Sequence, residues 1–140
     1  MENPFGDSVL LNHYLAGLFD GAGRVETDKR SVQGKYEMYT RIRISVSIKS
    51  KSMHLMYLLA EHAGGHYSIT KGSNYCWSAM GKESLGFLTR IKDHVVAKRE
   101  QVKLALQFCE TLPKDKPTPL TKAQHGLREI VHAGLQNLKE

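Results

Sequence analysis

The chain has 140 residues, enough for one domain with a real core and too few for two ordinary ones. Hydrophobic residues make up 41% and charged residues 24%, the composition expected of a soluble globular protein, and no apolar run reaches the roughly 20 residues of a membrane span. The net charge of +6 favours a polyanionic partner.

The amino end, MENPFGDSVLLNHYL, lacks the basic opening and small-residue cleavage site of a secretory signal. Cys76 and Cys109 lie far apart, which suits free thiols in a reducing compartment better than a disulfide framework. The chain is therefore expected inside the cell, in an organelle, a nucleus or a bacterial cytoplasm, with no membrane partner.

Asp7 or Ser8 can cap a first helix that runs to about Asp20, where Gly21 and Gly23 stop it. Residues 24–32 read as a strand, and SVQGKYE supplies a hairpin loop. From Met38 the chain alternates strictly: Met38, Thr40, Ile42, Ile44, Val46 and Ile48 take one face, Tyr39, Arg41, Arg43, Ser45 and Ser47 the other. That is a long strand with one buried face. Ser52 then caps a helix with Leu55, Met56 and Leu59 inward, ending before Gly64 and Gly65. Two shorter strands, 66–71 and 74–80, are joined at Gly72 and Ser73. Leu85, Leu88 and Ile91 mark a helix, and Val102, Ala105, Leu106, Cys109 and Leu112 another. PKDKPTPL is a linker. Leu127, Ile130, Val131, Gly134, Leu135 and Leu138 mark a last amphipathic helix.

The order predicts an α+β fold, αββαββα, with one four-stranded antiparallel sheet and helices packed on one face. Residues 1–112 form the domain core, 113–120 a proline-rich linker, and 121–140 a C-terminal helix packed on the same domain.

The polar face of the long strand carries the first chemistry. Arginine can bond guanine edges bidentately or pair with phosphate, and Tyr39, Ser45 and Ser47 can bond bases or backbone. On the partner strand the same parity brings Arg24, Glu26, Asp28 and Arg30 beside Arg41 and Arg43. A face mixing both charge signs with hydroxyls suits base reading better than plain phosphate clamping; a merely solvated sheet face is the alternative. On the second hairpin, Tyr67, Ile69 and Lys71 share a parity and, with Tyr75, could touch bases. In the first helix, Ala16, Gly17 and Gly21 lie near one side among Leu15, Leu18 and Phe19, a pattern that permits close helix approach. His62 and His66 are four apart, but Gly64 and Gly65 break the helix that would align them as ligands.

LAGLFDGAG, residues 15–23, resembles the signature of the LAGLIDADG homing endonucleases. The element order, the alternating strand after the motif, and VVAKREQVKLALQFCETLP before a proline-rich linker are similar to the single-motif branch of that family. The resemblance spans about residues 8–113 and, more loosely, the last helix.

It implies a homodimer in which two motif helices pack along the two-fold axis through Leu15, Ala16, Gly17, Leu18 and Gly21. Two sheets would then read a long, near-palindromic double-stranded DNA site in the major groove. It also implies hydrolysis with a divalent metal, normally Mg²⁺, held by an acid just before the final glycine and aided by the preceding carbonyl. Here those positions are Ala22 and Gly21. A methyl group cannot ligate a hard cation. Asp20 matches the earlier acid of the motif, where a helix-end structural role is expected. Lys98 matches a basic residue near the active-site water, with Arg99 and Lys103 beside it. A glutamine often found near the end of the long strand is missing, and Ser47 or Lys49 stands in its stretch. One blank inside an intact motif fits an acid-to-alanine substitution that traps an uncleaved complex. A descendant that kept binding and lost cleavage, such as a regulator or an intron maturase acting on DNA or RNA, is the other explanation.

Overall fold

The computed structural model describes residues 5–33, 38–72, 74–113 and 120–138. Helix α1 spans Ser8–Ala22, and the Asp7 carboxylate caps it by accepting the Val9 N–H at 2.6 Å. It runs through Gly21, two residues beyond the expected stop, and ends at Gly23. Gly23 has an extended backbone (φ −86°, ψ 163°), so conformational freedom is not why glycine is needed. A Cβ there would lie 2.2 Å from the Phe19 ring, so glycine is the residue that fits.

Strand β1 (Gly23–Gln33) pairs antiparallel with β2 (Met38–Ser50). After α2 (Met53–Ala63), strands β3 (His66–Ile69) and β4 (Tyr75–Met80) complete a sheet of order β1-β2-β4-β3. Every neighbouring pair is antiparallel. Ile42, Ile44, Val46 and Ile48 are buried, as the alternation of β2 requires. In register, Trp77 sits opposite Ile48 and Ala79 opposite Val46, so one continuous apolar face backs onto the helices. Trp77 is fully buried and its indole N–H donates to the Gly64 carbonyl at 2.8 Å, tying α2 to β4. Gly65 follows at φ +69°, and a Cβ there would lie 2.3 Å from the Ser78 carbonyl. Only glycine satisfies both conditions.

Helices α3 (Lys82–Ile91), α4 (Arg99–Cys109) and α5 (Lys122–Asn137) cover that apolar face together with α1 and α2. Helix α5 starts with a reciprocal cap between Thr121 and Gln124 and packs against α4 and β1. Its inward row is Arg128, Val131 and Leu135. Ile130, expected inward, is 68% exposed, because the row that meets α4 and the sheet lies one step around the helix. Arg128, absent from the expected apolar row, turns its guanidinium inward. It donates to the Thr111 hydroxyl (2.6 Å), the Thr111 carbonyl and the Ile42 carbonyl (both 3.2 Å), and stacks over Phe108 at 4.8 Å.

Cys109 is buried in the core, and burial pushes its thiol up to about 11; Cys76 is half-buried, and both are free thiols. No helix among the described residues is long and apolar enough to cross a membrane.

Candidate functional site

The face of the sheet away from the helices is set by strand parity. Register places Arg24 opposite Ser47, Glu26 opposite Ser45 and Asp28 opposite Arg43 on that face. The side chains of Arg30, Tyr39 and Arg41 lie outside the described part of the structure. Through β2, the same face continues onto Cys76, Ser78 and Met80 of β4, then onto His66 and Ser68 of β3.

Tyr67, Ile69 and Tyr75 are therefore not part of this surface. Tyr67 pairs with Trp77 and Ile69 with Tyr75, which puts all three on the helix side of the sheet. The Tyr67 ring meets Tyr57 of α2 edge-on at 5.9 Å. On the edge strand β3, Tyr67 is 37% and Ile69 71% exposed, while Tyr75 on β4 is half-buried. Lys71 lies beyond the end of β3 in the exposed turn. The sequence contained the missed signal: Trp77, the largest apolar side chain, had to be buried, and counting by twos from it turns Cys76, Ser78 and Met80 outward.

Charge on the open face is mixed. Arg24 and Glu26 form an ion pair at 3.2 Å with both side chains well exposed, so solvent screening leaves it little energy. Arg43 and Lys49 are exposed as well, and Ser45 and Ser47 are half-buried.

At the end of β1 and β2, where α1 runs out, lies a cleft of about 180 Å³. Ala22, Arg24, Ser47, Lys49 and Lys98 contribute to its walls. Lys98 arrives from a segment 76 residues beyond Ala22 because Asp20 holds that segment in place. One Asp20 carboxylate oxygen accepts the Val96 N–H (2.8 Å) and the other accepts the Lys98 N–H (3.0 Å). The Lys98 ammonium in turn donates to the carbonyls of Phe19 (3.1 Å) and Asp20 (3.2 Å). A cation at the carbonyl end of a helix satisfies orphan acceptors and opposes the helix dipole. The segment is also pinned by the His94 ring, which lies 3.9 Å from that of His13 on α1.

These residues do not fit a divalent cation. Mg²⁺ and Ca²⁺ take hard oxygen ligands, above all carboxylates. Position 22 offers a methyl group, Gly21 only a backbone carbonyl, and Asp20 already has both oxygens committed to backbone N–H groups. Among the described residues, no group of three histidine, cysteine or acidic side chains could hold a metal ion.

Of the five residues expected at a helix–helix interface, Leu15 and Ala16 are each 1% exposed and belong to the chain's own core. Gly17 and Gly21 are exposed, and Leu18 is half-buried. The outward row of α1 is Leu10, Tyr14, Gly17 and Gly21, spaced four, three and four apart, which is one narrow stripe of a helix.

An antiparallel sheet bare on one face, helix-backed on the other and meeting the end of a first helix at a basic cleft is the homing-endonuclease fold. The chain is 28% identical over 123 residues to the DNA endonuclease I-CreI of Chlamydomonas reinhardtii, covering 85% of this chain and 73% of that protein. Among solved structures it is similar to the homing endonuclease I-CvuI in complex with its target (TM-score 0.75, 19% identity, 95% of this chain and 84% of the other). It is also similar to the archaeal intron-encoded homing endonuclease I-Vdi141I complexed with DNA (TM-score 0.77, 17% identity, 96% and 87%). No family model matches the chain. The motif at residues 15–23 thus sits at the end of α1 in a chain that has the homing-endonuclease fold and is similar in sequence to I-CreI.

Proposed function

We propose that this chain is a homodimeric, sequence-specific double-stranded DNA-binding protein of the homing endonuclease type, carried in a form that does not cleave. One observation carries the reading: the cleft at the end of the motif helix keeps Lys98, Ser47 and Lys49 but has no carboxylate on its walls. Binding and hydrolysis are thereby separated. Arg24, Glu26, Asp28, Arg43, Ser45 and Ser47, with Arg30, Tyr39 and Arg41 further along the same strands, read a long, near-palindromic duplex. The stripe of Leu10, Tyr14, Gly17 and Gly21 forms the two-fold contact, since small residues allow two helix backbones to approach closely. Hydrolysis in this family needs a divalent metal, usually Mg²⁺, to neutralise developing phosphate charge and activate water. Ala22 removes the side chain that would hold it.

The test selects duplexes from a randomised library with the unmodified chain, then incubates the selected duplex with that chain and with Ala22→Asp in Mg²⁺. The expected outcome is a near-palindromic consensus, no cleavage by the unmodified chain and double-strand cleavage by Ala22→Asp. Cleavage by the unmodified chain would refute the assignment to Ala22, and recovery of no sequence would refute specific DNA recognition.

A further inference from the structure

The cleft beside Ala22 has a charge of its own. Arg24, Lys49 and Lys98 line it, Ser47 adds a hydroxyl, and no acidic side chain does. Two neighbouring acids are engaged elsewhere: Asp20 accepts the Val96 and Lys98 N–H groups, and Glu26, two residues along β1 and not on the cleft walls, is bonded to Arg24. Lys98 uses two of its three ammonium N–H groups on the carbonyls of Phe19 and Asp20, which fixes the ammonium and leaves a third donor. The carbonyl end of α1 would otherwise lend the cleft partial negative charge, and the bound ammonium cancels it. At about 180 Å³ the cleft exceeds several times the roughly 30 Å³ of a water molecule, so a tetrahedral anion has room.

We infer that this cleft is a direct, metal-independent phosphate site, in which Arg24, Lys49, Lys98 and the Ser47 hydroxyl hold a phosphodiester oxygen without a divalent ion. The inference deepens the DNA-binding reading above. With three cations and no acid on its walls, Arg24 shared with Glu26 and Asp20 turned to the backbone behind Lys98, the cleft favours phosphate over a divalent metal, the reverse of a site built around an acid, where metal must come first to offset carboxylate–phosphate repulsion. DNA binding by this chain should therefore be indifferent to divalent metal or weakened by it. Ala22→Asp should invert that dependence.

The first measurement does not depend on DNA. Inorganic phosphate is titrated into metal-free protein while the backbone amides of Ala22, Ser47 and Lys98 are followed by NMR. Saturable shifts are expected, weakened in Lys49→Gln and in Lys98→Gln, whose backbone N–H to Asp20 is untouched. Absence of shifts, or shifts that both variants leave unchanged, would overturn the proposal. The second uses a duplex selected from a random library, with affinity measured in EDTA and in Ca²⁺. Equal or tighter binding in EDTA is expected, and each glutamine variant should reduce the slope of log affinity against log salt by about 1. Ala22→Asp should lose at least about fivefold in EDTA, the factor one unit charge exerts at about 4 Å even in water, and recover in Ca²⁺. Affinity of the unmodified chain that rises with Ca²⁺ would overturn the metal-free site while leaving DNA recognition intact. Failure to select any duplex would remove DNA recognition, and the phosphate titration would still decide the cleft.

Discussion

Replacing Asp20 with alanine removes the acceptor that holds the segment carrying Lys98 to the end of α1. Two bonds are lost, to the N–H groups of Val96 at 2.8 Å and Lys98 at 3.0 Å. Hydrogen bonds to a charged acceptor are worth about 1.5–3 kcal/mol when shielded, and less where water can replace the acceptor. The Val96 bond is exposed and contributes about 1 kcal/mol; the Lys98 bond is half-buried and contributes about 2 kcal/mol. The expected loss is thus about 3 kcal/mol. At about 3–4 °C per kcal/mol for a chain of this length, the melting temperature should fall by roughly 10 °C. Urea unfolding at one fixed protein concentration measures it, since self-association makes apparent stability concentration-dependent. Amide exchange supplies the local readout: the Val96 and Lys98 amides should lose protection while those of β2 keep theirs. Asp20→Asn, which keeps one acceptor, should recover part of the loss. A change under about 0.5 kcal/mol with unaltered exchange at Val96 and Lys98 would refute the idea that Asp20 organises this corner.

Three further outcomes are expected. Gly17→Ala and Gly21→Ala meet nothing within 4 Å in the isolated chain and should each stabilise α1 by up to about 1 kcal/mol. If the stripe is the two-fold contact, the same changes should weaken the dimer in sedimentation, whereas unchanged self-association would remove the stripe from the interface. The Cys109 thiol sits near 11, above the ordinary 9.0, so the folded state holds that proton more tightly than the unfolded state. Its contribution is full below pH 9 and is lost as pH rises toward 11, a decline of about 2–3 kcal/mol in urea titrations that Cys109→Ala should flatten. Arg128→Ala should cost about 3–5 kcal/mol, because it strands the acceptors at Ile42 and Thr111 inside the core; a loss under about 1 kcal/mol would show that water replaces the guanidinium.

The fold was legible wherever one residue's burial forced its neighbours' orientation. The period-two run from Ile42 to Ile48 dictated a half-buried strand, and its buried face emerged as written. The second hairpin was read from Tyr67, an amphipathic side chain that tolerates either face, when Trp77 was the anchor that tolerates only one. The motif helix showed small residues but not which side they took, because Leu15, Ala16 and Gly17 are adjacent in sequence and point in three directions around the helix. The gathering of Ala22, Ser47 and Lys98 was legible only through resemblance. Nothing in local pattern announces that Asp20 bonds a segment 76 residues away, nor that the Thr27 hydroxyl meets the His132 ring at 2.6 Å across 105 residues.

The contact between Phe19 and Gly23 ties two motif positions into a single choice. The ring stands where a side chain at 23 would have to be, so the bulk available to this corner is spent entirely on the helix side. Enlarging position 23 alone jams the turn, and shrinking position 19 alone hollows the core. Only exchanging the two together, a smaller residue at 19 with a methyl at 23, gives a passable route between alternatives. In a directed-evolution library these sites should therefore move as a couple, and single changes at either should be purged before any selection for DNA sequence begins.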